Sequence, residues 1–440
     1  MEKQIPTYDK DLEVLPELAS QSHNGESIEV DKAEQARILR KVDLYLLPII
    51  TLLYLMSFLD RSSIGNAKIS GLSADLGLKP VQYNIALSIF FMSYVSFECL
   101  YFTRDCSEFW RIGRSENLFG SLGSWYPRHA LVFRFCLFFS AATLAGAFGG
   151  LLARGLVELD GTGGLEGWRW IFIVEGLITV VVAVCAYFWI QDSPESASFL
   201  SVADKKVLAS ILARDMSGES QEFSWPETRA AFGEWKVWTS GIICVGIALP
   251  TFSFALFIPT IINGLGYTAT RSQLMTVPPY VVAFFFTISV GWLSDRLKVR
   301  GIPLLIFTAV GIVGYTIQIS VDHQKLNVKY FATFLSAIGI FTTSGLNIPW
   351  LSNNLRGHSR RATGSAIQVS IGQLGGVAAA YIYRQQDSPD YVMGHSLALG
   401  SLVLAFVTTA LQSWWMKKEN DALDRKAREE GVDDGFRFTL

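Results

Sequence analysis

"DLYLLPIITLLYLMSFLDRSSIGNAKISGL", residues 43–72, joins an apolar run to a polar one with no turn signal at the junction. The first part, 43–59, comes close to the length that crosses a bilayer, about 20 mostly apolar residues. The second part can stay helical, and it opens on Asp60 and Arg61. Charges within a membrane helix are costly, so they are paired or turned toward water. Adjacent residues point about 100° apart on a helix, so these two need different partners. The residues alone leave two readings open: an interfacial cap with Arg61 snorkelling outward, or a charged pair serving a site inside the membrane.

Working outward, nine further apolar runs have spanning length: 83–102, 131–152, 168–190, 238–262, 275–293, 303–321, 330–351, 362–383 and 395–416. The stretch 115–125 is too short and too rich in Gly and Ser to span unaided. Composition agrees with a membrane protein. Of 440 residues, 50% are hydrophobic and 17% charged, against about a quarter charged in soluble domains. A formal charge of -2 and the lack of a basic stripe give no reason to expect nucleic acid as a partner. Cys99, Cys106, Cys136, Cys185 and Cys244 show no paired spacing and read as reduced packing residues. Residues 1–28 are polar and lack an apolar signal-peptide core. "EVDKAEQARILRKVD", residues 29–43, reads as an amphipathic helix running along the membrane surface into the first span.

Basic residues gather on alternate connections. One side receives Arg37, Arg40, Lys41, Arg104, Arg111, Arg114, Lys205, Lys206, Arg296, Lys298, Arg300, Arg360, Arg361, Lys417 and Lys418. The positive-inside rule then predicts an even number of spans with both termini cytoplasmic. The expected organisation is a tail at 1–42, an incomplete helix bundle of about four spans at 43–190, and a loop at 191–237. A six-helix bundle at 238–416 and a tail at 417–440 follow. Four spans against six is an imbalance, and it falls at "CLYFTRDCSEFWRIGRSENLFG", residues 99–120, where charged chain follows the second span.

Several motifs bear on function. "GWLSDRLKVRG", residues 291–301, ends a span, and its charges read either as an ordinary basic loop or as a lock between helix ends. The whole string resembles the loop signature of the major facilitator superfamily, with Gly291, Asp295, Arg296 and Arg300 as its gating residues. "SFLDRSSIGNAKISGLSADLGL", "SWYPRHALVFRFCLFFSAATLAGAFGGLLARG", "LDGTGGLEGWRWIFIVEGLITV", "DSPESASFL" and "WLSNNLRGHSRRATGSAIQVSIGQLGG" are collinear. Together they resemble the anion:cation symporter family of that superfamily, in its fungal branch of allantoate and nicotinate permeases.

That resemblance implies an all-α, two-bundle transporter with a midplane site. It implies that Asp60 carries the coupling proton and that Arg61 anchors a substrate carboxylate, a role the planar guanidinium suits. Asn347, Asn353, Asn354 and Gln373 are candidate substrate contacts, with bridging between helices as the competing role. Gln368 belongs to a small-residue helix interface. Glu175, after "GWRW", reads as a structural pairing, Arg134 as an anchor, and His129, His358 and His395 as span-end histidines without metal-ligand spacing. Against the usual twelve helices the third and nearly all of the fourth are missing, roughly sixty residues. The Arg and Glu of that fourth helix have no counterpart here; Glu98 and Glu116 flank the gap but do not match its motif.

The expected function is proton-coupled uptake of a small organic anion by a monomer in the plasma membrane. Its partners are the anion, protons and the lipid bilayer; the proton gradient is the energy source, with no cofactor and no metal. The alternative is a transport-inactive shortened paralogue or an incomplete gene model. A membrane enzyme or receptor is disfavoured, because no catalytic constellation is present.

Overall fold

The structure is a computed structural model that describes residues 32–103, 125–191, 194, 196–215, 224–322, 324–430 and 437–440. Among these, no strand occurs. Twelve helices of nine residues or more follow in order: α1 (Lys32–Ala67), α2 (Pro80–Thr103), α3 (Arg128–Val157), α4 (Gly167–Trp189), α5 (Val202–Asp215), α6 (Trp225–Gly233), α7 (Trp235–Gly264), α8 (Ala269–Leu297), α9 (Gly301–Ser320), α10 (Leu326–Asn353), α11 (His358–Ile382) and α12 (Val392–Glu430). Hydrocarbon offers the backbone no partner, so an apolar run satisfies its own N–H and C=O groups as helix.

Each of the ten expected spans coincides with one of α1–α4 or α7–α12, seven lying wholly inside and three (168–190, 303–321 and 362–383) running one residue past the helix end. Among the described residues nine helices are long and apolar enough to cross a membrane. The tenth, α2, has 24 residues, about 36 Å at 1.5 Å per residue, more than a hydrocarbon core of about 30 Å. The charged stretch after it lies, from Arg104 to Gly120, outside the described residues.

The boundaries differ from the sequence reading in three places. Residues 32–42 do not form a separate surface helix; they are the opening turns of α1, which runs unbroken for 36 residues. No helix breaker separates them from the span, and their cations find a partner on α5. After Ala67, α1 tightens into a π turn, Lys68–Leu72, where Gly71 takes φ 106°, and then a last turn, Ser73–Asp75. The connection between bundles, expected as a loop at 191–237, holds two helices, α5 and α6, the second started by Ser224, Pro226 and Glu227. Finally, α12 carries its helix far beyond 416, through the helix-favouring run to Glu430.

Ten crossings bring Lys32 and the end of α12 to the same side of the bundle, called here the basic end. In the second half α7 packs on α11 and α12, and α9 on α10 and α12. In the first half α1 packs on α3 and α4. The halves meet where α3 lies along α8, α2 along α11, and α1 against α7. Gly65 makes the last of these contacts possible, since a Cβ there would strike the Leu256 carbonyl of α7. Apolar side chains left outside, such as Leu177, Val180, Val184 and Phe188 on α4, suit a lipid-facing surface.

At the basic end Asp204 of α5 is 3% exposed. It accepts from Lys41 Nζ at 2.6 Å and from Arg37 Nη2 at 2.8 Å. The Lys41 hydrogen bond holds the Asp204 carboxyl below the usual carboxylate range, against its own desolvation. A depressed carboxyl contributes stability above its unfolded pKa, about 3.9, and loses it as pH falls through the lower folded value. Hydrogen exchange at residues 33–41 is therefore expected to be slow at neutral pH and to accelerate, relative to base exchange rates, only below about pH 4. Asp204→Asn should show the fast behaviour already at neutral pH. Equal protection in both proteins at neutral pH would refute the tie.

Candidate functional site

Asp60 and Arg61 point to different faces of α1, as their spacing requires. Asp60 is exposed and turns toward α4, where both its oxygens accept from Thr179 Oγ1 at 3.2 Å. Arg61 turns inward. Its guanidinium carbon lies 5.1 Å from the centre of the Phe252 ring, 5.5 Å from Phe91 and 6.0 Å from Phe58. Such stacking suits the planar, weakly hydrated guanidinium.

The guanidinium opens on a cavity between the two halves. Its walls come from α1 (Tyr54, Ser57, Phe58, Arg61), α7 (Thr251, Phe252), α10 (Ser344, Asn347) and α11 (Gly372, Gln373), with Phe139 of α3. The space is about 800 Å³ counting its open mouth. Tyr54, Phe58 and Arg61 are spaced i, i+4 and i+7, one face of one helix. Thr251 and Ser344 hydroxyls meet at 3.2 Å across α7 and α10. Asn347 and Gln373 are 2% and 7% exposed, and neither Asn347 Oδ1 nor Gln373 Oε1 meets a donor within the protein. A buried amide without its hydrogen bond is costly, so both suit a polar ligand. One cation, aromatic walls and two amides together can hold a small anion with an apolar or ring-shaped body.

Three of the residues singled out by sequence thus share the cavity: Arg61, Asn347 and Gln373. Asn353 and Asn354 do not. They stand at the basic end, where α10 stops, and serve structure. Asn353, in the amide orientation that satisfies both partners, accepts from Arg300 Nε at 2.7 Å and Nη2 at 3.2 Å. Asn354 donates to the Trp350 and Thr439 carbonyls at 2.9 and 3.2 Å and accepts from Thr439 N at 2.7 Å. With Trp350 Nε1 on the Thr439 carbonyl at 2.8 Å, these residues seat the segment 437–440. They are withdrawn from the substrate contacts. Tyr54, Thr251, Ser344 and Phe252 went unremarked in the sequence, although Tyr54 shares its helical face with Arg61.

The 291–301 motif, read from the sequence as a gating loop, sits between the halves at the basic end. Asp295 accepts from Arg300 Nη1 at 2.8 Å and, across the interface, from the backbone N of Phe133 on α3 at 2.7 Å. Gly291 lets α3 approach: a Cβ there would lie 2.5 Å from Cys136 Cβ. Arg300 is 4% exposed. Arg296 is exposed and stacks on Trp292 at 5.3 Å, taking no part in the lock.

Comparisons with known proteins agree with this geometry. The profile of the Major Facilitator Superfamily matches residues 118–380. The chain belongs to the major facilitator superfamily. An uncharacterised transporter of Schizosaccharomyces pombe is 35% identical over 433 aligned positions, 90% of this chain and 86% of that protein. The high-affinity nicotinic acid transporter of Saccharomyces cerevisiae is 32% identical over 88% of this chain and 79% of its own length. A major facilitator-type transporter of Emericella nidulans is 30% identical, covering 96% and 94%. Since 433 positions use only 90% of a 440-residue chain, the first alignment includes stretches of the relative with no counterpart here. Among solved structures, a bacterial homologue of the human lysosomal transporter Spinster superposes with TM-score 0.52 at 15% identity, covering 87% of this chain and 96% of that one. At that identity the likeness concerns the fold. This major facilitator protein is a multi-pass membrane transporter, not an enzyme, and it carries a small molecule.

Proposed function

We propose that this transporter takes up a small organic anion together with protons, by alternating access around the Arg61 cavity. The carrying observation is the placement of Arg61, a guanidinium seated on Phe58, Phe91 and Phe252 and facing Asn347 and Gln373. A carboxylate fits the guanidinium, an apolar ring fits the phenyl walls, and a ring heteroatom that accepts fits the NH2 of an amide. The nicotinic acid transporter among the relatives is consistent with a substrate of this kind. In this reading Asp60 is the proton carrier on the far side of α1. The basic end is cytoplasmic by the positive-inside rule, the membrane is the plasma membrane, and the monomer is the working unit.

Nicotinate uptake into proteoliposomes of the full chain, with and without an inward proton gradient, tests the proposal. Accumulation that depends on the gradient is expected. The shortened first half favours a second reading, a paralogue that binds the anion but does not move it. Binding of nicotinate without gradient-driven accumulation would support that second reading and sink the first.

A further inference from the structure

Helices α1 and α4 are antiparallel neighbours, and their polar residues fall opposite one another in register. Asp60 meets Thr179. Ser63 lies three residues further along α1 and Glu175 four residues back along α4, each one helical turn away and on the same face. The two again face each other, with Asp60 one turn away on the same face of α1. Glu175 is 2% exposed. Neither of its carboxyl oxygens holds a hydrogen bond, the Ser63 hydroxyl being turned to the Leu59 carbonyl at 2.8 Å.

The cations near the middle of the packed elements are committed elsewhere, and Arg40 is exposed at the basic end. On α1, Arg61 lies over Phe252, Phe91 and Phe58, and Arg37 and Lys41 bind Asp204. On α3, Arg134 binds Asp43 and Arg154 binds Glu158. Lys68, in the turn after α1, lies over Tyr83 and Phe257. Among the described residues the charged group one turn from Ser63 on the face toward α4 is another carboxylate, Asp60. An ionised carboxylate buried without donor or cation is costly, whereas the neutral acid is tolerated. Two facing carboxyls resist ionising together.

We propose that Glu175 is a second proton-binding residue that works as a pair with Asp60, the two carboxyls sharing one proton. A proton leaving a Glu175 Oε arrives on an Asp60 Oδ, so the acid becomes the carboxylate and the carboxylate the acid. The pair keeps one proton and one negative charge throughout. Thr179, which holds Asp60, and Ser63, one turn along on the same face, carry hydroxyls that can both donate and accept. Because Arg61 faces the cavity from another side of α1, proton and anion occupy different faces of one helix, and movement of that helix links them. The use of the pair in transport rests on the proton-coupled reading above.

Infrared difference spectroscopy on the reconstituted full chain tests the pair without relying on transport. The carbonyl band of a protonated carboxylic acid is expected in the wild type at neutral pH, lost in Glu175→Gln, and present but titrating at a different pH in Asp60→Asn. Absence of the band from the wild type, or its persistence in Glu175→Gln, overturns the proposal. In proteoliposomes Glu175→Gln should lose all stimulation of nicotinate uptake by an inward proton gradient while nicotinate counterflow at equal pH stays within about twofold. Glu175→Asp should recover part of the stimulation, which a purely structural role would not predict. A Glu175→Gln protein that still responds to the gradient refutes the pair. A wild type with the Glu175-dependent band but no gradient-driven uptake supports the pair and refutes the proton-coupled reading.

Discussion

Arg61→Ala is expected to lower nicotinate affinity by about 10- to 150-fold, the equivalent of the 1.5–3 kcal/mol carried by hydrogen bonds to a charged group. The loss is concentrated at one residue because the cavity offers one cation among apolar walls and neutral amides. Arg61→Lys keeps the charge but loses the planar fork and the stack on Phe252, 5.1 Å from the guanidinium carbon. It should fall between the wild type and the alanine variant. Equilibrium binding of radiolabelled nicotinate to purified protein reads both effects. Asn354→Ala serves as the control: its partners are Trp350 and the 437–440 segment, so binding should be unchanged. Wild-type affinity in Arg61→Ala would remove this residue from the site and the organic-anion reading with it.

The ten spans were legible because each apolar run has one structural outlet in hydrocarbon, and hydropathy alone finds it. The behaviour of Asp60 and Arg61 was legible in part. Helical spacing separates them, but spacing does not say that Arg61 meets three phenyl rings contributed by α1, α2 and α7. The two asparagines at 353 and 354 show the limit most clearly. Their position near the end of a span fits a ligand contact and a helix bridge equally. What decides is Arg300, 53 residues before Asn353, and Thr439, 85 residues after Asn354. No local pattern encodes a partner that distant. Glu175 was visible as a charge inside a span; its orphaned oxygens were not, since burial and missing donors are properties of packing. Residues 32–42 were amphipathic as read, but the partner of Arg37 and Lys41 was Asp204 on a later helix rather than the membrane surface.

Gly291→Leu is expected to cut uptake by about tenfold or more while exposing Cys136 to thiol reagents. The α3–α8 contact is long. It runs from Phe133 against Asp295 and Cys136 against Gly291, at the basic end, to Gly146 against Tyr280 and Gly150 against Gln273 at the other. At Gly291 a Cβ alone would come within 2.5 Å of Cys136 Cβ and 2.8 Å of its Sγ, and Phe133 Cα follows at 3.7 Å. A leucine there cannot be absorbed by one rotamer. Overpacking of this kind costs typically 1–3 kcal/mol, which shifts a two-state gate by about 5- to 150-fold. The wedge acts at the basic end and leaves the Gln273 end zipped, so it favours the state open at the basic end. Cys136, fully buried and donating to the Gly345 carbonyl at 3.5 Å, then becomes reachable from that side. Maleimide labelling of Cys136 reads the opening directly, in a background where Cys99, Cys106, Cys185 and Cys244 are replaced. Gly291→Ala, with the Cβ but no more, should show the same direction at smaller size. If the leucine variant takes up substrate like the wild type and Cys136 stays unlabelled, α3 and α8 do not part at Gly291 during the cycle, and the gate lies elsewhere.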